Sequence, residues 1–540
     1  MEQGIAMSNR RQAEELDTRQ APLEMEPDEF RRIGHRVIDD IADFLHSLPR
    51  RPVTSGASPK TIRGILGDKS LPEQGMPADE LLREAEDLLF QKSLFNGHPR
   101  FWGYITASAA PIGALGDLLA ASVNPNVGAW ALSPVASEIE RQTIRWIADL
   151  IGYPATCGGL LVSGGNMANF VGLLAARKTK VPWDVRADGL RGGLHQLTIY
   201  ASQDTHTWIH KAVDMFGLGL NAIHWIPMND RQQMDPQALA RQILADRSKG
   251  FLPFLVVGSA GTVGVGAIDP LADIAAICRR EGLWFHVDGA YGAPAVLLPE
   301  APAELRGLRE SDSVAIDPHK WLYSPLEAGC ALVREPKHLV DAFSFHPDYY
   351  HFETREGEAL LNYYELGPQN SRGFRALKVW LALRLVGKEG YARMIRDDIA
   401  LAEALHQRVK ETPELQAFTR NLSIVTFRFV PKGLAVGNEA VEGYLNSLNL
   451  EILNRLQDGG EVYLSNAVIK GTFLLRACIV NFRTRLKDIK TLVEIVTRTG
   501  KGVDARMRPQ DLGASAIIRS EMAENRPLTQ ERKGGEKGDH

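Results

Sequence analysis

Cysteine is scarce in this chain. Its 540 residues hold four, Cys157, Cys278, Cys330 and Cys478, and they lie far apart. None forms a CxxC pair or a metal-ligand spacing. That argues against a disulfide framework and a bound metal, and it suits a reducing compartment. An excess of one charge is lacking too. Lysine and arginine number 62 against 66 acidic residues, a net charge of −4. So small a balance over this length leaves no basic footprint for nucleic acid. Long apolar runs are also missing. The first thirty residues contain none, so no secretory signal is expected. Residues 251–268 run for 18 positions without a charge, but glycines and Pro253 interrupt them and Asp269 follows at once. A strand and a Gly-rich loop explain that stretch better than a membrane span. The expectation is a cytoplasmic protein that binds neither nucleic acid nor membrane.

What is present is an ordinary globular composition, 44% hydrophobic and 24% charged, long enough for two or three domains. Polar, turn-rich stretches at 1–26 and 504–540 read as loose tails. "FRRIGHRVIDDIADFLHSL" places Phe30, Ile33, Val37, Ile38, Ile41 and Phe44 at helical spacing, with Asp28 a candidate N-cap. "PADELLREAEDLLF" predicts a second helix. From about 157 to 333 short strands alternate with helices, the candidate strands being 197–201, 222–226, 253–258, 283–287, 313–316 and 330–333. Such alternation predicts an α/β domain with a mostly parallel sheet covered on both faces. Its ligands bind beyond the carboxyl ends of the strands. After a helix over 374–387, a mixed segment to about 503 reads as a smaller second domain.

Unusual groups gather at those strand ends. In "LLVSGGNMANFVGLLAAR", Ser163, Gly164, Gly165 and Asn166 form a turn that opens a helix. Free backbone N–H groups there suit a phosphate, although a plain tight turn would read the same. His206 follows the strand "LTIYAS"; standing alone, it would be a capping or core histidine. "LWFHVDGAYGAP" ends a strand on Asp288, an acid that is costly to bury unless it meets a cation or a strong donor. Ala290 beside it is small enough to let a ring lie against the strand end. In "SVAIDPHKWLYSP", Lys320 follows another strand and can face the same crevice. Together a phosphate cradle, a buried carboxylate, a flat side chain and a strand-end lysine describe a pyridoxal phosphate site.

These segments, with "HPRFWGYI", "SPVASEIE", "HTWIHKA", "DPHKW" and "SRGFRALKVW", resemble the group II pyridoxal-phosphate-dependent amino acid decarboxylases. That family includes aromatic-L-amino-acid, tyrosine, tryptophan and glutamate decarboxylases, and the likeness covers roughly residues 27–500. The resemblance implies Lys320 as the Schiff-base lysine, Asp288 as the pyridinium partner and His206 stacked over the ring. It implies that Gly165 and Asn166 hold the phosphate with help from His319, and that Thr262 lies on the cofactor side. It also implies the aspartate-aminotransferase-like fold (fold type I) and a homodimer with active sites at the interface. The N-terminal helical segment, 27–129, would pack on the partner, beside a large domain over 130–385 and a small α+β domain over 386–503.

For the substrate side, Phe101, Tyr104, Ile105 and Trp130 are the candidates. Ile105 replaces a common phenylalanine, and Gly128 stands where the family often has a bulky aromatic. The resemblance also implies a lid tyrosine that closes over the partner subunit's cofactor and delivers a proton, expected at Tyr363 with Tyr364 as the alternative register. Three readings stay open on the sequence. One is a decarboxylase of aromatic amino acids giving amine and CO2. Another is a different pyridoxal phosphate enzyme, such as a glutamate or diamino acid decarboxylase, an aldehyde synthase or an aminotransferase. The third is a catalytically silent scaffold.

Overall fold

A computed structural model describes residues 16–19, 21–68, 70–345, 354–355 and 358–512. The chain divides into two units, one up to Leu94 and the other from Phe95 onward. In the first, α1 (Pro27–Ser47), α2 (Pro59–Leu66) and α3 (Ala78–Lys92) carry the regular structure. The N-cap of α1 is Glu26 rather than Asp28, because Pro27 takes the first helical position, where its missing N–H costs nothing. Within this unit Arg36 reaches Asp40, Asp79 and Glu86, and Phe44 stacks on Phe90 at 4.4 Å.

The second unit holds a seven-stranded sheet. Its strands are β1 (Gly158–Val162), β2 (Leu197–Ser202), β3 (Ile223–Ile226), β4 (Leu252–Ser259), β5 (Trp284–Asp288), β6 (Ser313–Ile316) and β7 (Gly329–Val333). The order is β1-β7-β6-β5-β4-β2-β3, parallel throughout except that β7 opposes both its neighbours. The carboxyl ends of β1, β2, β4, β5 and β6 therefore share one end of the sheet. Helices α4 (Pro111–Val123), α5 (Pro134–Leu150), α6 (Gly165–Lys180), α7 (Trp208–Met215), α8 (Pro236–Ser248) and α9 (Leu271–Glu281) accompany it. The strands are nearly all buried, as sheets covered on both faces require.

One strand has no counterpart among those expected. β1 opens with two glycines, and a Cβ at Gly159 would stand 2.5 Å from the Ala331 carbonyl oxygen. Close packing therefore removes the β-branched residues by which strands are recognised. A buried ion pair fixes β1 in place. The Arg372 guanidinium donates to Glu140 Oε1 at 2.5 Å and to the Leu161 and Val127 carbonyls, while Leu161 N–H donates to Glu140.

The long helix α10 (Ala376–Glu411) breaks at Gly387, whose φ is +66°. It leads to a four-stranded antiparallel sheet of β8 (Leu415–Asn421), β9 (Ile424–Phe429), β10 (Ser465–Ile469) and β11 (Thr472–Cys478), in the order β8-β9-β11-β10. Helices α11 (Glu439–Gly459) and α12 (Leu486–Met507) build a second apolar core with it, into which Trp102 inserts. Among the described residues no helix is long and apolar enough to cross a membrane.

Candidate active site

Where β1 ends, Ser163 and Gly164 turn the chain into α6. Gly164 has φ +151°, a conformation other residues rarely adopt. A Cβ at Gly165 would stand 2.8 Å from Asp317 Oδ2, and one at Gly329 would fall 2.5 Å from the Gly164 backbone. Bare backbone is thus packed against a strand-end carboxylate, and the first N–H groups of α6 have no partner within their own helix. That is a ready seat for an anion.

Asp317 and Lys320 share the turn after β6. Lys320 Nζ lies 3.0 Å from Asp317 Oδ2, with the two side chains 18% and 3% exposed. His319 Nε2 is 3.6 Å from the same oxygen, and its Nδ1 accepts the Ala328 N–H at 3.2 Å. Burial, the largest cause, holds the His319 pKa below its ordinary value. The carboxylate that meets the lysine is therefore Asp317. Asp288 instead meets two uncharged donors: Trp208 Nε1 donates to Oδ2 at 2.8 Å and the Ala290 N–H to Oδ1 at 3.2 Å. The register explains its setting, since Asp288 pairs with Ser259 on one side and Ala315 on the other. His206 is half-buried, and its Nδ1 accepts the Trp208 N–H at 3.2 Å. Burial, the largest cause, lowers its pKa, with Asp288 opposing.

One cavity is lined by Lys320, His206, Asp288, Ala290, Gly165, Asn166, Thr262 and Ile105, all expected from the sequence. Asp317, Asn169, Tyr291 and Val263 line it as well and were not expected there. Asp317 was legible, since it stands three residues before Lys320 in "DPHKW". Thr262 braces its own loop, its Oγ1 accepting the Ala267 N–H at 3.1 Å.

Other expected residues lie elsewhere. Tyr363 is 1% exposed, with Arg372 over its ring at 4.6 Å and its hydroxyl without a hydrogen-bond partner among the described residues. The ion pair that fixes β1 also covers this tyrosine, so it is a core residue of its own chain rather than part of the cavity. Tyr364 does not line the cavity either. Phe101 is buried against Tyr463 at 5.3 Å, and Tyr104 is 57% exposed with φ +52°. Trp130 turns its indole N–H to Glu138 at 3.1 Å. Of the four substrate-side candidates only Ile105 reaches the cavity within one chain. Gly128 has a structural cause as well, because a Cβ there would meet the Asn370 carbonyl oxygen at 2.1 Å.

Arg476 on β11 carries no sequence signal beyond a charge inside a strand. It is 2% exposed, and its Nε and Nη2 have no hydrogen-bond partner among the described residues. Its Nη1 donates to the Tyr104 carbonyl, next to Ile105, and to Ser465 Oγ. A buried guanidinium with free N–H groups is costly, and an anionic ligand would offset that cost.

Beneath the lysine turn, Trp321 Nε1 and the Tyr323 hydroxyl both donate to Asp398 of α10. Burial, the largest cause, raises the Asp398 pKa from 3.8 to about 7. A carboxyl whose folded-state pKa is raised contributes stability below its unfolded pKa and loses it as pH climbs through the folded value. Wild type should therefore lose stability relative to Asp398→Asn between about pH 4 and about pH 7, on the order of 1 kcal/mol for each pH step of one. Urea unfolding of both proteins across that range checks this. A constant difference would mean that Asp398 does not titrate there.

The model of the pyridoxal-dependent decarboxylase conserved domain matches residues 59–430. An aromatic-L-amino-acid decarboxylase of Bacillus atrophaeus is 32% identical over 483 residues, 88% of this chain and 98% of the relative. A phenylacetaldehyde synthase of Petunia hybrida is 30% identical over 464 residues, covering 84% and 91%. The structure of Oryza sativa TDC with PLP and tryptamine superposes with a TM-score of 0.82 at 27% identity, covering 90% of this chain and 99% of that one.

Proposed function

The chain belongs to the pyridoxal-dependent decarboxylase family, and from that premise we propose that it removes the α-carboxyl group of an aromatic L-amino acid as CO2, leaving the amine. It is a carboxy-lyase of fold type I, and its cofactor is pyridoxal 5'-phosphate. The observation that carries the proposal is the cavity that joins Lys320, Asp288 and His206 to the start of α6.

The residues present suit the cofactor. The start of α6, kept free of a Cβ at Gly165, offers N–H groups to the phosphate, with Asn166 and His319 beside it. The Lys320 amine would carry the aldehyde carbon, Asp288 would face the ring nitrogen, and Ala290 leaves room for the ring. When bound, the cofactor takes up the electron pair left on the α-carbon as CO2 departs. The chain's own groups do the rest. Asp317 Oδ2, 3.0 Å from Lys320 Nζ, positions that amine at the cavity. His206, whose pKa burial lowers, lines the cavity, where its ring is available to stack on the cofactor. Arg476 does not itself line the cavity, but it holds the backbone next to Ile105, and its unused N–H groups make it the candidate for the substrate carboxylate. Ile105 and Val263 give an apolar wall without a paired charge for an acidic side chain.

In a panel assay, aromatic amino acids should exceed glutamate and ornithine by at least about tenfold in kcat/KM, or about 1.4 kcal/mol. In the same panel Arg476→Gln should raise KM about tenfold. The products distinguish amine release from the aldehyde formation for which the Petunia relative is named. Faster turnover of glutamate would contradict the substrate class, and an unchanged KM would remove Arg476.

We further propose a homodimer. It is supported by the apolar side chains that one chain leaves exposed on α4 and around the start of α5, Leu115, Leu118, Leu119, Val123, Leu132 and Val135. Light scattering should give twice the chain mass, and a monomer at micromolar concentration would contradict it. A cytoplasmic setting accords with the four free cysteines.

A further inference from the structure

Asp288 and His206 reach the cavity from different strand ends, and one residue touches both. Trp208, the first residue of α7, is fully buried. Its backbone N–H donates to His206 Nδ1 at 3.2 Å and its indole N–H to Asp288 Oδ2 at 2.8 Å. The indole also stands edge-on to the His286 ring, with centroids 5.8 Å apart and planes at 80°. That imidazole is itself held on both nitrogens, by Ser313 Oγ and Asn169 Oδ1, each at 2.7 Å. The tryptophan therefore cannot swing away from the carboxylate.

An indole N–H can only donate. It favours the ionised form of the acid it meets, and more strongly so away from water. We propose that Trp208 is a positioning residue that keeps Asp288 ionised, so that the proton between Asp288 and the cofactor's ring nitrogen stays on the nitrogen. This rests on the reading of Asp288 as the partner of that nitrogen. Without the indole N–H the carboxylate becomes the better base. The proton then moves from nitrogen to oxygen, and the ring draws electrons less well. The peptide N–H at this position survives in Trp208→Phe, so His206 keeps its own tether and the effect falls on Asp288.

The test reconstitutes the protein with pyridoxal phosphate labelled with nitrogen-15 in its ring and reads the ring-nitrogen chemical shift. The samples are wild type, Trp208→Phe, Asp288→Asn and Trp102→Phe. Trp102 is equally buried but donates to Thr484 at 3.1 Å, away from the cavity. Wild type and Trp102→Phe should show a protonated nitrogen. Trp208→Phe should move toward the unprotonated shift, with cofactor Kd raised at least about tenfold, as the loss of a hydrogen bond to a charged group implies. A wild-type shift in Trp208→Phe, with Asp288→Asn displaced, overturns the inference about Trp208 alone. A wild-type shift in Asp288→Asn overturns the reading of Asp288 beneath it. If Trp208→Phe does not load the cofactor, the indole N–H signal of Trp208 itself decides. It should lie downfield in wild type and move upfield in Asp288→Asn, and the same position in both overturns the proposal.

Discussion

Two carboxylates, Asp288 and Asp317, end adjacent strands of one sheet, and the site depends on how the donors are divided between them. Asp317 takes the cation, with Lys320 Nζ at 3.0 Å. Asp288 takes the uncharged donors, an indole and a peptide N–H. A buried acid without a donor would cost several kcal/mol, so neither arrangement is optional. The division leaves the lysine beside its own counter-ion and the second acid with uncharged donors alone.

The rest of the large domain keeps these strand ends in register. The Arg372–Glu140 pair pins β1 and with it the turn that opens α6. His286, in the middle of β5, bonds Asn169, whose side-chain amide donates to the Gly165 carbonyl at 2.8 Å. Burial, the largest cause, lowers the His286 pKa to about 4, so this link carries no charge near neutrality. It joins the strand bearing Asp288 to the helix start that would receive the phosphate. The spacing between the two ends of the cofactor site is thereby built into uncharged hydrogen bonds, which salt and pH disturb little.

Much of this was legible in the sequence. The strands of the parallel sheet are apolar runs that stop at Gly, Asp or Ser, and the groups that line the cavity follow those stops directly. β1 was hidden because its glycines serve packing against β7 rather than strand formation. Arg476 was hidden because nothing in one strand tells a surface charge from a buried one. The aromatic residues near position 101 are ambiguous for the opposite reason. Phe101 is apolar enough for a substrate pocket and equally so for a core, and within one chain it is buried against Tyr463. The burial of Tyr363 in its own chain could not be read from the motif around it. Its cover, Arg372, is held by Glu140, which lies 232 residues away in the chain, and no local pattern reveals that pairing.

The most direct test of the account is to locate the cofactor's covalent attachment. Borohydride reduction of the purified holoprotein, followed by proteolysis and mass spectrometry, should place the pyridoxyl group on the peptide that contains Lys320. Attachment to another lysine, or no attachment in protein that retains full turnover, would contradict the account at its centre.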